Sequence, residues 1–211
     1  MKRMLFILLF IPALLTAQNY VQGTVEFKNG KKLECLLKVP SGPNDKHIET
    51  RLSEKADKVS YPSDKLAKVI VNLDDGGSYE FSRERIRRLL SSKTTEVWIL
   101  TVEKGYATLY VSTNKYRINK KGHLEMISIG GPHSAGEIFM LVKRPDEKVA
   151  TILGSYSESI TINENGAFRK LASDYFKDCP ELVKRIKEKE FKILDSRVLV
   201  MEYNRIREKT M

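Results

Sequence analysis

Val21-Gln22-Gly23-Thr24-Val25-Glu26-Phe27-Lys28-Asn29-Gly30-Lys31-Lys32-Leu33-Glu34-Cys35-Leu36-Leu37 is the stretch whose pattern decides the fold. Val21, Gly23, Val25 and Phe27 alternate with Gln22, Thr24, Glu26 and Lys28, which is the period of a strand with one face buried. Asn29-Gly30 supplies the positive-φ pair of a tight turn. Leu33, Cys35, Leu37 and Val39 then share one face of a returning strand, so the segment predicts an antiparallel hairpin.

The same signature recurs downstream. Asp75-Gly76-Gly77 separates residues 66–73 from 78–82, Lys104-Gly105 separates 97–102 from 106–111, and Lys120-Lys121-Gly122 stands between Tyr116 and Ile127. The continuous apolar run 138–142 predicts a central strand covered on both faces. Two stretches break the pattern. Ser41-Gly42-Pro43-Asn44-Asp45 cannot continue a strand. Residues 83–95 read as a short helical turn or linker, because Ile86, Leu89 and Leu90 sit at helical spacing, although Arg83, Arg85 and Arg87 would also share one face of a strand.

After Asn165-Gly166 the apolar period lengthens to about 3.6 residues, that of a helix. Phe168, Leu171, Ala172, Tyr175 and Phe176 form one stripe. Pro180 suits the first turn of a second helix capped at Asp178 or Cys179, with Leu182, Val183 and Ile186 buried. Asp195-Ser196 can cap a third helix whose Leu199, Tyr203 and Ile206 recur at i, i+4 and i+7, with Val198 alongside. The expected class is α+β: a mainly antiparallel hairpin sheet or open barrel over residues 18–164, then about three short helices over 165–211 packed on it.

Lys2 and Arg3 precede an apolar run over residues 4–15 that closes on Leu15-Thr16-Ala17. That order predicts an export signal over residues 1–17, cleaved near Ala17-Gln18, and a run too short to span a bilayer. No transmembrane span is expected beyond it. The 211-residue chain carries a net charge of +10, two units of which belong to Lys2 and Arg3. In an exported protein that excess points to anionic lipid headgroups, an acidic glycan or another envelope protein, in the periplasm, at the outer membrane or outside the cell, and not to nucleic acid.

With these features the chain resembles exported proteins of uncharacterised role that are common in Bacteroidota-type Gram-negative bacteria. They share a leader ending in Ala-Gln, here Ala17-Gln18, a first hairpin like residues 23–37, and a Tyr-Pro-x-Asp element, here Tyr61-Pro62-Ser63-Asp64. A strand pair ending in an aromatic, here residues 97–110, is common to them as well. The helical piece is the nearest match, with Tyr175-Phe176-Lys177-Asp178-Cys179-Pro180-Glu181-Leu182 and Glu202-Tyr203-Asn204. The resemblance implies a compartment and an architecture, and no activity, cofactor or catalytic residue.

Chemistry-bearing motifs are sparse. His47, His123 and His133 lack the i, i+4 spacing with which two imidazoles share a metal, so neither metal nor cofactor is expected. Cys35 and Cys179 are single and distant; they could form one disulfide, or remain buried free thiols. Gly130-Gly131-Pro132-His133-Ser134-Ala135-Gly136 holds an imidazole and a hydroxyl, but a nucleophile elbow requires a glycine where Pro132 stands and a helix after the turn. Asp74-Asp75 and Asp146-Glu147 read as turn residues. Arg83-Glu84-Arg85-Ile86-Arg87-Arg88 reads as an anion-binding patch of four guanidinium groups or as a solvated charge run. Three functions follow. The first is a non-enzymatic envelope protein that binds through sheet edges, exposed aromatics such as Tyr106 and Tyr110, or its basic surface. The second is an envelope-polymer hydrolase or transferase using His133 and Ser134. The third is a peripheral membrane protein held by its basic C-terminal helices.

Overall fold

The computed structural model describes residues 20–73, 76–87, 93–119, 121–128, 137–157 and 164–209. The first hairpin forms as its pattern demands: β1 (Val21–Phe27) and β2 (Lys32–Leu37) pair antiparallel, with Val21 opposite Leu37 and Glu26 opposite Lys32. Its turn is longer than the two-residue type expected. The Gly30 N–H donates to the Phe27 carbonyl at 2.9 Å and the Phe27 N–H to the Lys31 carbonyl at 2.8 Å. Gly30 takes φ +83°, whereas Asn29 is not at positive φ; its side-chain oxygen accepts the Lys31 N–H at 3.1 Å instead. Only the glycine needs the left-handed region in this arrangement, and the local twist matches that of the strands. The same pair of backbone bonds recurs at Leu73, Gly76 and Gly77 and at Asn119, Gly122 and His123.

The chain continues through β3 (His47–Arg51), β4 (Val59–Pro62), a 3-10 turn at Ser63–Lys65, β5 (Leu66–Asn72), β6 (Ser78–Arg87) and β7 (Thr94–Glu103). It goes on through β8 (Thr108–Ser112), β9 (Lys115–Ile118), β10 (Leu124–Ile127), β11 (Ile138–Lys143) and β12 (Thr151–Tyr156). Ten strands form one antiparallel sheet in the order β12-β11-β8-β7-β6-β5-β1-β2-β3-β4, and β9-β10 form a separate hairpin. The sheet is not closed.

Residues 83–87 correct the expectation of a helical turn. β6 runs to Arg87 and pairs with β7 in unbroken register, Phe81 opposite Leu100, Arg83 opposite Trp98 and Glu84 opposite Val97. Both faces of this pair are used. Phe81, Trp98 and Leu100 lie in a core with Val25, Cys35, Leu37, Ile48, Leu66, Val69, Val71 and Tyr116. Val97 and Ile99 point the other way, into a cluster with Tyr110, Leu141 and Ala150. β3 and β4 were not anticipated, and β11 lies inside the sheet but is fully buried only at Leu141 and Val142. The 40–46 connection is irregular, as its Gly-Pro-Asn-Asp chemistry requires, and it bridges the first core. The Trp98 N–H donates to the Pro43 carbonyl at 2.9 Å and the Tyr116 N–H to the Ser41 carbonyl at 2.9 Å. The Trp98 indole N–H reaches the Ser63 hydroxyl at 3.0 Å, so a buried aromatic has its one donor satisfied.

The helical layer comprises α1 (Glu164–Tyr175), α2 (Pro180–Lys187), a 3-10 turn at Ile193–Asp195 and α3 (Ser196–Glu208). Pro180 stands in the first turn of α2 with Cys179 at the cap position. Phe168, Ala172, Tyr175, Phe176, Leu182, Ile186, Leu199, Val200 and Tyr203 pack with Ala107, Leu109, Val142 and Leu153 of the sheet. Two side chains assigned to the buried stripes face outward: Leu171 is 41% and Val198 49% exposed. Asn204 fixes α3 to the turn between β7 and β8. Its Oδ1 accepts the Ala107 N–H at 2.7 Å and its Nδ2 donates to the Ala107 carbonyl at 2.9 Å, as a neighbouring strand would. A Cβ on Gly105 would stand 2.2 Å from Asn204 Nδ2, so only glycine admits this approach.

Cys35 and Cys179 are free thiols buried in different cores, the first under β1, β2 and β5 and the second in the helical layer, so the disulfide that could have joined them is not formed. Burial pushes the Cys35 thiol above its ordinary pKa, which slows its chemistry further. Titration with an aromatic disulfide reagent should find no fast thiol in the native protein and two after unfolding without reductant; fewer than two would mean that they are paired. The Asn204→Ala variant should lose about 2–4 kcal/mol in denaturant unfolding, because it leaves both polar groups of Ala107 buried without partners. A change under about 0.5 kcal/mol would remove this bond from the account.

Candidate functional site

Arg83, Arg85 and Arg87 occupy alternate positions of β6 and therefore share one face. Their environments differ. The Arg83 guanidinium carbon lies 5.6 Å from the centroid of the Trp98 ring, and its Nη1 donates to the Pro43 carbonyl at 3.4 Å. Burial lowers the Arg83 pKa below its ordinary value despite the pull of Glu96 and Asp64. Arg83 is thus committed to the core wall. Arg85 reaches Glu96 at 3.9 Å, but that carboxylate is already held by Lys28 at 2.8 Å. The bond from Lys28 is the main reason that Glu96 titrates below the usual carboxylate range. Arg87 is exposed, and Arg88 lies outside the described residues. The row is interrupted by an acid and has one of its members locked.

His133 and Ser134, with the rest of the 130–136 segment, lie outside the described residues, as do Asp74 and Asp75. His47 stands on β3 opposite Pro62. His123 lines a cleft of about 390 Å³ with Lys121, Tyr20, Gln22 and Asn72. Among the described residues no group of three or more His, Cys, Asp or Glu side chains is placed to hold a metal ion. Tyr106 and Tyr110, expected as exposed aromatics, are not free surfaces. Tyr110 is buried against Val97, Ile99 and Leu141, and Tyr106 packs against Tyr203 under the Arg207 guanidinium, 4.8 Å from its ring.

A network that the sequence did not announce centres on Arg144, just after β11. Its guanidinium carbon lies 4.4 Å from the centroid of the Tyr175 ring and 5.4 Å from that of Tyr203. Arg144 Nε donates to the Tyr203 hydroxyl at 2.9 Å, and Nη2 donates to the Tyr175 carbonyl at 2.8 Å and to Asp178 Oδ1 at 2.7 Å. The Tyr203 hydroxyl donates to Asp178 Oδ2 at 2.7 Å, and the Tyr175 hydroxyl to Glu147 Oε2 at 2.8 Å. Burial lowers the Arg144 pKa, but the two tyrosines and Asp178 outweigh it and the net shift is upward. Both motifs of the helical piece, Tyr175-Phe176-Lys177-Asp178 and Glu202-Tyr203-Asn204, turn out to be docking chemistry. Glu202 pairs with Arg185, which also holds Glu190 at 2.7 Å. The polar groups of the clamp are partnered with one another.

With its inner side so fastened, α3 presents a line of apolar side chains outward. Leu194, Val198 and Met201 are 64%, 49% and 47% exposed and recur at i, i+4 and i+7; Arg205, also exposed, continues the line at i+11. Three large aliphatic or thioether groups in one stripe are unlike the scattered single exposures of an ordinary surface. The spacing was visible in the sequence, but Val198 was assigned to the adjoining buried face.

No protein-family model matches the chain, and no curated protein or solved structure is significantly similar to it.

Burial, with the hydrogen bonds that the hydroxyls donate to Glu147 and Asp178 in turn, raises the pKa of Tyr175 and Tyr203 above the usual phenol value. Burial likewise pushes Tyr116 up to about 12. In the unfolded chain these phenols ionise near pH 10. Above that pH the unfolded state has lost protons which the folded state keeps, so stability is full below pH 10 and falls as pH rises toward the folded values. Denaturant unfolding between pH 9 and 12 should therefore show a declining slope that Tyr116→Phe makes shallower. An unchanged slope in that variant would mean that Tyr116 ionises freely in the fold.

Proposed function

We propose that this chain is an exported protein of the cell envelope that works by contact and not by catalysis, and that the outer face of α3 is its contact surface. The observation that carries the reading is the line Leu194, Val198 and Met201, exposed from the 3-10 turn at Ile193–Asp195 onto α3, a helix whose opposite face is fixed by Asn204 and the Arg144 clamp. A helix free to rotate would bury those side chains. One pinned from behind presents them permanently, and that arrangement suits a binding surface. The leader over residues 1–17 supports the compartment, and the dispersed basic charge supports an anionic counterpart.

In-cell photo-crosslinking in the native host tests both halves of the reading. A photoreactive side chain placed at Met201 should capture components of the cell envelope, whereas one at Leu52, which is 72% exposed on the β3-β4 hairpin, should capture far less. Equal yields at the two positions would remove α3 as the contact surface. Crosslinks only to cytoplasmic components would remove the export reading.

A further inference from the structure

Resting on the reading of α3 as the contact surface, we infer that its counterpart is an anionic lipid bilayer, on which the helix lies with Leu194, Val198 and Met201 inserted among the headgroups.

Shape is the first argument. The stripe runs from Leu194 in the 3-10 turn onto the outer face of α3 and contains no aromatic side chain. Protein interfaces are anchored mostly by aromatic and arginine side chains seated in pockets of the partner, and this line has no aromatic and one arginine, Arg205, at its end. A bilayer needs no pocket. Its interface closes around any apolar ridge, and a helix lying there buries its apolar face about 5–10 Å deep. Flexible Met201 adapts to such a medium at little strain.

Charge is the second argument. The exposed cations Lys192, Arg205 and Lys209 stand toward the two ends of the stripe, and Arg197 beside it is paired with Glu103. Most neighbouring acids are already engaged. Glu190 and Glu202 both pair with Arg185, Glu103 is held by Arg197 at 2.9 Å, and an Asp195 carboxylate oxygen accepts the Lys192 backbone N–H at 2.8 Å. Glu208 is the remaining exposed acid on α3. Over residues 167–211 the chain has 12 Lys and Arg against 8 Asp and Glu. An apolar ridge rimmed by cations is the pattern of a helix that rests on an anionic surface. Among the described residues no helix is long and apolar enough to cross a membrane, so the mode is peripheral.

The test is vesicle flotation of the chain from Gln18 onward, which contains every described element. It should float with vesicles rich in phosphatidylglycerol and be largely released in about 1 M salt, where the screening length is about 3 Å. On purely phosphatidylcholine vesicles little should float. The double variant Val198→Asp, Met201→Asp should lose about tenfold or more of the bound fraction, with unchanged thermal unfolding because both side chains are exposed in the fold. Absence of flotation on the anionic vesicles, or equal flotation of the double variant, overturns the bilayer. If the wild type does not float but the double variant still loses envelope crosslinks in cells, the contact surface stands and its counterpart is a protein or glycan. A dimer by light scattering that the double variant converts to monomer, again without flotation, would make the occupant a second copy of the chain.

Discussion

A guanidinium held between two tyrosine rings decides how the C-terminal helices of this protein sit on its sheet. Arg144 comes from the end of β11, Tyr175 and Asp178 from the end of α1, and Tyr203 from α3, so one side chain joins three elements distant in sequence. Its polar reach is satisfied on one side by Asp178 and on another by the Tyr175 carbonyl, which removes the penalty of burying a charge. Asn204 adds a second fixed point by completing the backbone of Ala107. Two such points, at the adjacent residues Tyr203 and Asn204, fix the rotation of α3 about its axis. In that rotation Leu199, Val200 and Tyr203 are buried, and Leu194, Val198 and Met201 are not.

The sheet owes its shape to a different constraint. β6 and β7 run for ten residues each, and both of their faces are covered along much of that length, one by the core around Trp98 and the other by the cluster around Ile99. Backbone bonds donated by Trp98 and Tyr116 to the Pro43 and Ser41 carbonyls tie the 40–46 connection to the first core. A single isolated bridge between Ile86 and Ala150 brings the start of β12 back against β6. The sheet thus curls over two cores without closing into a barrel.

What the sequence made legible was local. Gly30, Gly76 and Gly122 marked turns because the left-handed backbone at those points admits little else. Pro180 and the change to a helical period marked the helical layer. The failures share a cause. β6 was misread because arginines at alternate positions hide the polar-apolar alternation by which strands are recognised, and what makes 83–87 a strand is pairing with β7, a property of two segments and not of one. Val198 was placed inward because i, i+4 spacing fits two adjoining stripes of a helix, and the partners that fix α3 through Tyr203 and Asn204 lie 59 and 97 residues from them in sequence. Glu147 does close a turn, its N–H donating to the Arg144 carbonyl at 3.2 Å, and what was not legible is the bond it accepts from the Tyr175 hydroxyl, 28 residues distant. The thiols follow the same logic: each was legible as buried, but their separation into two cores was not.

Together, a pinned helix, an outward apolar ridge and a cationic rim are what the proposed contact with an anionic surface rests on. The most direct measurement is a spin-label scan with single cysteines at Val198, Met201 and Arg205 and a reference at Leu52, recorded with and without phosphatidylglycerol vesicles. The account predicts mobile, water-exposed labels at all four positions in buffer. With vesicles present, oxygen accessibility should rise at 198 and 201 while the label at 52 stays in water. Immobile labels at 198 and 201 in buffer would mean that the face is already covered. Labels there that remain in water beside the vesicles would mean that α3 does not meet a membrane.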